Sequence, residues 1–359
     1  MKILVRGTNW IGDAVMSLPA LKELRRIFPD AQITLHTRTW AEGLFSEAEF
    51  IDELVTFDKS KWKAKDVYDN SQFLRDDGYD LAVLLPNSFE SALTSFLSKI
   101  PRRVGYNKDV RGLLLTDPIA VPEWKGRRHE VYYYLNLISE IERRMIGRDT
   151  VSQMLPDVSL KILDDKKAAA REQLRSAGVD VEKRIVALGV GSTNSAIKRW
   201  PVERFAKLAD RLANELNASV ILLGSPDEAS TAAEVAEIAQ TPVIDISGRT
   251  TLPEAIAILA VANLMISNDM GLAHVAAAVG IEVIALFGPT NPETTRPWGE
   301  NVAVLQRNVA CEFCRRNDRT VRHVCAKWVS VDEAFEAAIR MFEREALNTV
   351  EPLEIEVCL

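Results

Sequence analysis

Asp13 lies in RGTNWIGDAVMSLPAL (6–21), where the apolar run KILV gives way to small and polar residues. Val15, Leu18, Leu21, Leu24 and Ile27 then recur at helical spacing. A carboxylate in such a strand-to-helix turn either decorates the helix N-terminus or works as a base at the open end of a sheet. Other stretches supply different chemistry. In GVGSTNSAIKRWP (189–201), glycines and hydroxyls leave backbone N–H groups free to face a phosphate; Ser192 and Thr193 lie in that loop, and Lys198 adds a positive charge. In SNDMGLAHVAAAVG (267–280), Asn268 and Asp269 end a strand and Met270 leads into Gly271, which permits close approach. The helix that follows aims its positive end outward, with His274 in its first turn. The loop FGPTNP (287–292) ends the next strand at the same edge. Glu228, in LLGSPDEA, follows a further strand end, where one carboxylate can take both hydroxyls of a ribose; alone it would read as a helix N-terminal charge. Thr250, after VIDISGR, is grouped with these residues. Together they describe a nucleotide diphosphate site in the second half of the chain.

Strand-like runs separated by helical stretches position these groups. The first half carries KILVRGT, AQITLHT, ELVTF, LAVLLP and RRVGY; the second carries RIVALGVG, SVILLG, VIDISG, NLMISND, EVIALFGP and NVAVL. Most are continuously apolar, as parallel strands covered on both faces are, and the alternation with helices implies right-handed βαβ units. The polar stretch LPDVSLKILDDKKAAAREQLRSAGVDVEK marks a change of domain at about residues 155–183. The expected organisation is 1–165 for a first domain, 166–330 for a second domain that carries the nucleotide site, and 331–359 for a terminal helix and tail; the family resemblance given below implies that the first binds an acceptor and the second the donor. In that last segment Ser330 and Glu333 make a capping box, and Val331, Phe335, Ala338 and Phe342 make one apolar face, expected to pack back on the N-terminal domain.

With 359 residues, 47% hydrophobic and 26% charged, the chain reads as a two-domain globular protein. No apolar run of about 18 residues suggests a membrane span, and no signal peptide precedes the first strand, so a cytoplasmic protein is expected. The net charge of −7 argues against a nucleic-acid partner. Local charge is more telling. Between Lys99 and Arg128, eight basic residues, among them Arg102, Arg103 and Arg111, face Asp109, Asp117 and Glu123. Lys59, Lys61, Lys63 and Lys65 surround Trp62. These read either as solvated loops or as a surface for an anionic substrate or lipid headgroup, with Lys61, Arg102, Arg103 and Arg111 as the candidates to bind it (the acceptor, on the resemblance given below). Neither GxGxxG nor GxxxxGK[ST] is present, which weakens simple NAD and P-loop readings. Cys311, Cys314, His323 and Cys325 could hold zinc, but H-x-C is an unusual second pair. No DxD stands on a plausible site loop, so neither a metal nor a cofactor is expected.

MKILVRGTNWIGDAVMSLPAL, AIKRWPVERFAKLADRL and SNDMGLAHVAAAVGIEVIALFGPTNPETTRPWG resemble the ADP-heptose:lipopolysaccharide heptosyltransferases, glycosyltransferase family 9. The late C-x-x-C resembles the second-heptose branch of that family. The resemblance implies an α/β fold of GT-B type, two facing Rossmann-like doubly wound domains with an interdomain cleft. It also implies inverting transfer of a heptose from ADP-L-glycero-D-manno-heptose to the lipopolysaccharide inner core. Asp13 matches the family's general base, Lys198 its phosphate contact, and Asp269, Gly271 and His274 its D-x-G-L-x-H donor loop; Glu228 falls at the ribose contact. Met270 replaces a common Thr or Ser, and Gly189-Val190-Gly191 replaces a usual PG. The implied partners are ADP-heptose and an anionic lipopolysaccharide core, with peripheral contact at the cytoplasmic face of the inner membrane. A nucleotide-sugar epimerase of the same fold and a two-lobed solute-binding protein are the competing readings.

Overall fold

A computed structural model describes residues 1–58, 63–192, 198–306 and 329–349. The chain divides into two compact units, Met1–Leu160 with Glu293–Trp298, and Lys161–Pro292 with Gly299–Leu359.

The first unit is a parallel sheet of β1 (Lys2–Arg6), β2 (Gln32–Arg38), β3 (Glu53–Phe57), β4 (Leu81–Leu84), β5 (Arg102–Tyr106) and β6 (Asp117–Ile119), in the order β3-β2-β1-β4-β5-β6. Its helices are α1 (Ile11–Met16), α2 (Leu18–Ile27), α3 (Glu42–Phe45), α4 (Lys63–Arg75), α5 (Phe89–Leu97) and α6 (Glu130–Ile146). The second unit carries β7 (Ile185–Gly189), β8 (Ser219–Leu222), β9 (Ile244–Asp245), β10 (Leu264–Asn268), β11 (Glu282–Leu286) and β12 (Val302–Leu305), in the order β12-β11-β10-β7-β8-β9. Around it are α7 (Asp164–Ser176), α8 (Val202–Leu216), α9 (Ala229–Ile238), α10 (Leu252–Leu259), α11 (Gly271–Ala278) and α13 (Val331–Thr349), with short α12 (Pro292–Thr295) where the chain passes between units.

Counted from its own first strand, each sheet has the same 3-2-1-4-5-6 order. The strand order therefore reverses between β1 and β4 in one unit and between β7 and β10 in the other. In doubly wound sheets, ligands sit beyond the carboxyl ends of the strands at that reversal. The four strands concerned are covered on both faces: every residue of β4, β7 and β10 is buried, as are Ile3 to Arg6 of β1. That is why they read as unbroken apolar runs.

The short strand β6 has no counterpart among the apolar runs read from the sequence. It has three residues with Pro118 in the middle, and a proline is tolerated because the strand lies at the sheet's edge.

The terminal helix begins at Val331. Its capping box forms, with the Ser330 N–H donating to Glu333 Oε2 at 2.7 Å and the Glu333 N–H to Ser330 Oγ at 3.1 Å. Its apolar face, however, enters the core of the second unit: Ala334, Phe335, Ala338 and Phe342 pack with Trp200, Phe205 and Leu212. Trp200 Nε1 donates to the Val329 carbonyl at 2.9 Å just before the helix. The apolar stripe finds its partner on α8.

Candidate functional site

In the first unit, a pocket of about 400 Å³ opens at the β1/β4 reversal. Thr8, Asn9, Trp10 and Asp13 come from the segment after β1, and Leu85, Pro86, Asn87 and Ser88 from the segment after β4. Lys125, Glu130, Tyr133, Tyr134 and Thr295 complete the wall. Asp13 sits in the first turn of α1, but it is not the cap: Trp10 holds that position and no side chain caps the helix. Its carboxylate instead accepts a hydrogen bond from the buried Tyr134 hydroxyl, 3.1 Å from Oδ1. Burial raises the Asp13 pKa; Glu130 adds to the rise, while Tyr134 and Lys125 oppose it. The helix-end argument alone predicts the opposite direction, and desolvation outweighs it. The result is a carboxylate that holds a proton more readily than an exposed aspartate does, which suits a base. Lys125 is paired with Glu130 and lies 3.7 Å from the centre of the Tyr133 ring.

Tyr134, Lys125 and Glu130 come from more than a hundred residues downstream of Asp13, and no spacing in the sequence announces them. The same holds for Glu293–Trp298, which returns to the first unit. There His129 Nε2 lies 2.8 Å from the Arg296 carbonyl, and Trp298 Nε1 donates to the Pro156 carbonyl at 3.1 Å.

In the second unit, the loops after β7 and β10 meet at the corresponding reversal. Lys198 Nζ lies 2.6 Å from Asp269 Oδ2, and Thr290 Oγ1 donates to the same oxygen at 2.8 Å. Three separate stretches of the sequence thus converge on one carboxylate. Asn268, fully buried, ties down the loop after β7: its amide nitrogen donates to the Val190 and Gly191 carbonyls at 2.8 and 3.1 Å, and its Oδ1 accepts from the Trp200 N–H at 2.8 Å. This residue ends the strand in the sequence reading, yet its bracing role shows only in the structure. Glycine is required at position 189, where a Cβ would come within 2.6 Å of Met270 Sδ and 2.7 Å of Ser267 Cβ. Met270, the departure from the usual Thr or Ser, fills that space and precedes Gly271 at the start of α11. His274 is buried in the first turn of that helix, and Ser192 is buried with its carbonyl accepting from Arg199 at 3.2 Å.

Glu228 is buried against Gly191, with Oε2 accepting from the Ser225 N–H at 2.8 Å and hydroxyl at 2.9 Å. The capping role weighed against ribose binding is thus present in the structure, on one carboxylate oxygen. The Gly248 N–H donates to the Gly224 carbonyl at 2.9 Å and joins the Thr250 loop to the Glu228 loop. Thr193, Lys61, Cys311, Cys314, His323 and Cys325 lie outside the described residues.

The three other acceptor candidates need correction. Arg102 and Arg103 open β5, so they stand at the amino edge of a parallel sheet whose pocket lies at the carboxyl edge. Arg102 Nε donates to Asp117 at 3.0 Å, and Arg103 Nε to the Leu114 carbonyl at 2.7 Å. Arg111 is fully buried and donates to the Tyr106 carbonyl at 2.8 Å, to the Ser91 hydroxyl at 3.2 Å and to the Pro86 carbonyl. A guanidinium committed to backbone carbonyls under the loop after β4 shapes that loop; it is not a surface cation waiting for a ligand.

Two doubly wound sheets, one ending in a carboxylate pocket and the other in a lysine-bearing loop site, have the architecture of GT-B-type glycosyltransferases. The sequence profile of glycosyltransferase family 9 (heptosyltransferase) matches residues 68–324. The chain belongs to that family. It is 29% identical to lipopolysaccharide heptosyltransferase 2 of Escherichia coli K12 over 89% of this chain and 91% of that one, and 28% identical to lipooligosaccharide heptosyltransferase 2 of Haemophilus influenzae over 85% and 88%. The solved structure of E. coli ADP-heptose lps heptosyltransferase II matches with a TM-score of 0.81 at 26% identity, covering 96% of this chain and 100% of that one.

Proposed function

We propose that the protein transfers a heptose from ADP-L-glycero-D-manno-heptose to the inner core of lipopolysaccharide, with inversion at the anomeric carbon. Asp13 takes the proton from the acceptor hydroxyl, and the loops after β7, β8, β9 and β10 hold the donor. The observation that carries this reading is the Asp13 carboxylate, with a raised proton affinity, facing a pocket at a strand-order reversal. As the acceptor oxygen bonds to the anomeric carbon its proton becomes acidic, and a carboxylate of raised pKa can collect it late in the step. The leaving diphosphate is offset by Lys198 and the N–H groups of the phosphate loop, with Ser192 and Thr193 in that loop. Asp269, Met270, Gly271 and His274 shape the sugar side, and Glu228 and Thr250 the ribose side. The first unit then serves the acceptor and the second the donor. Mass spectrometry of a truncated core acceptor incubated with ADP-heptose is expected to show one added heptose. Conversion of the sugar nucleotide without acceptor would instead favour the epimerase.

The acceptor is a lipid-borne glycan, so the proposal includes peripheral contact with a membrane. Among the described residues, no helix is long and apolar enough to cross one. A surface of the first unit supports contact. Tyr68 and Phe73 on α4, Phe89 and Phe96 on α5, and Val110 and Leu113 in the adjoining loop are all exposed, the last two by 80% and 89%. Val110 also adopts φ 62°, a strained conformation for a β-branched residue, holding an apolar side chain outward. Val110→Glu with Leu113→Glu is expected to reduce co-sedimentation with anionic phosphatidylglycerol vesicles several-fold at unchanged thermal stability. Undiminished sedimentation would remove this face from the proposal.

A further inference from the structure

Five buried side-chain nitrogen and oxygen atoms at the carboxyl ends of β1 and β2 have no hydrogen-bond partner among the described residues. They are Thr8 Oγ1, Asn9 Oδ1, His36 Nδ1, Thr37 Oγ1 and Arg38 Nη1. Buried polar groups are normally paired; of these five, Thr37 points to the other face of β2, and Asn9 Oδ1 and His36 Nδ1 accept rather than donate, so Thr8 Oγ1 and Arg38 Nη1 are the two that an oxyanion can satisfy.

Two cations stand there as well. Strand register sets Arg6 beside His36 and Arg38 beside Phe57, and the two-residue period of β2 puts all four on one face of the sheet. The guanidinium carbons of Arg6 and Arg38 lie 4.0 and 5.3 Å from the centre of the Phe57 ring, and the His36 ring is 4.6 Å from it. Arg6 is buried and donates to the His36 carbonyl at 3.2 Å. Neither guanidinium forms a salt bridge with a described carboxylate, although Glu90 exerts some pull on Arg6. His36 adds no third positive charge: burial and Arg6 hold its pKa down at about 3. Its Nε2 lies 3.1 Å from Asn70 Oδ1, and the Asn70 amide is oriented by donation to the Asp66 carbonyl at 2.7 Å. The ring therefore carries its proton on Nε2 and leaves Nδ1 bare.

Two like charges around one aromatic face, one of them buried, repel each other and gain only part of their lost hydration from the ring. An oxyanion satisfies both, because guanidinium forks match the oxygens of phosphate and carboxylate. Thr8 and Asn9, in the same cluster, also line the Asp13 pocket. We propose that Arg6 and Arg38 form a subsite for an oxyanion, a phosphate or carboxylate borne by the acceptor, next to the pocket in which Asp13 works. The inference rests on the reading of the first unit as the acceptor side, and it adds which residues meet the acceptor's anionic group there. Arg38 is partly exposed and gives solvent access to the pair, so it is the residue to vary.

The test uses the full chain and two readouts. In a ³¹P NMR titration with inorganic phosphate, the wild type is expected to bind saturably, Arg38→Gln about tenfold more weakly, and Arg38→Lys close to wild type. In transfer assays, Arg38→Gln is expected to raise the acceptor KM about tenfold at near-normal kcat, with the donor KM unchanged. Acceptors stripped of phosphate, and acceptors with the carboxylate reduced, tell which oxyanion is bound: the variant's penalty disappears with the group that occupies the subsite. Equal phosphate binding by wild type and Arg38→Gln would overturn the subsite. An intact phosphate site with an unchanged acceptor KM would overturn its assignment to the acceptor. Absence of any transfer from ADP-heptose by the wild type would defeat the functional reading instead, while the titration still reports on the two arginines.

Discussion

Asp13→Asn is expected to lower kcat by about 10²–10⁴ with little change in ADP-sugar affinity and no loss of stability. Asparagine keeps the shape and can still accept from the Tyr134 hydroxyl, so the substitution removes chiefly the proton-accepting charge. The stability expectation follows from the sign of the pKa shift. Burial raises the folded-state pKa of Asp13 above its unfolded value, so the ionised carboxylate weakens the fold at pH values above that pKa. The penalty fades as pH falls through the raised value. A neutral amide never incurs it, and the melting temperature of Asp13→Asn at neutral pH is expected to equal or exceed that of the wild type. Loss of activity at undiminished stability separates a base from a structural carboxylate. The pH profile supplies a second check: kcat/KM falls on the acid side as Asp13 takes its proton, above the range of an exposed aspartate. Tyr134→Phe deletes a hydrogen bond that favours the carboxylate, so it moves this acid limb to higher pH. A turnover of Asp13→Asn above about a tenth of the wild-type rate with saturating substrates would rule out the base assignment.

The strands and the loops that carry Asp13, Lys198 and Asp269 were legible because they depend on local signals. Continuous apolar runs mark strands buried on both faces, and small or hydroxyl-bearing residues after them mark the sheet's open edge. What local signals do not carry is which edge a charge occupies and what it already touches. Arg102 and Arg103 sit in a basic stretch, but they begin β5 and so face away from the pocket edge. Arg111 looks like another surface cation until the fold buries it under the loop after β4. The converse error is instructive too. Arg6 and Arg38 end strands within runs that read as core, and their shared ring, Phe57, comes from a third strand. The terminal helix follows the same logic: its stripe is plain in the sequence, but the surface it covers is fixed by α8 and Trp200.

The Lys198–Asp269 pair makes the donor site testable in a way that neither residue alone allows. Lys198→Ala is expected to weaken ADP binding by about 1.5–3 kcal/mol, roughly 10- to 150-fold, if a charge-assisted hydrogen bond to the diphosphate is lost. Yet Lys198 already lies 2.6 Å from Asp269, which also accepts from Thr290, so the same substitution leaves a carboxylate without its cation where an anion must bind. Repulsion from an uncovered Asp269 could mimic the loss of a phosphate contact. Asp269→Asn in the Lys198→Ala background removes that repulsion and nothing else that ADP would feel through charge. If Lys198 contacts the phosphates itself, the double variant stays close to Lys198→Ala in calorimetric titrations with ADP. If Lys198 merely neutralises Asp269, the double variant returns to near wild-type affinity, and the phosphate role passes to the backbone N–H groups of the loop after β7. Asp269→Asn alone is expected to leave ADP binding unchanged or tighter, since it frees the ammonium from its present partner. The coupling energy between the two positions therefore decides whether Lys198 is a ligand of the leaving group or only a counter-ion; we expect the former, because the side chain is partly exposed at the carboxyl edge of β7 and β10.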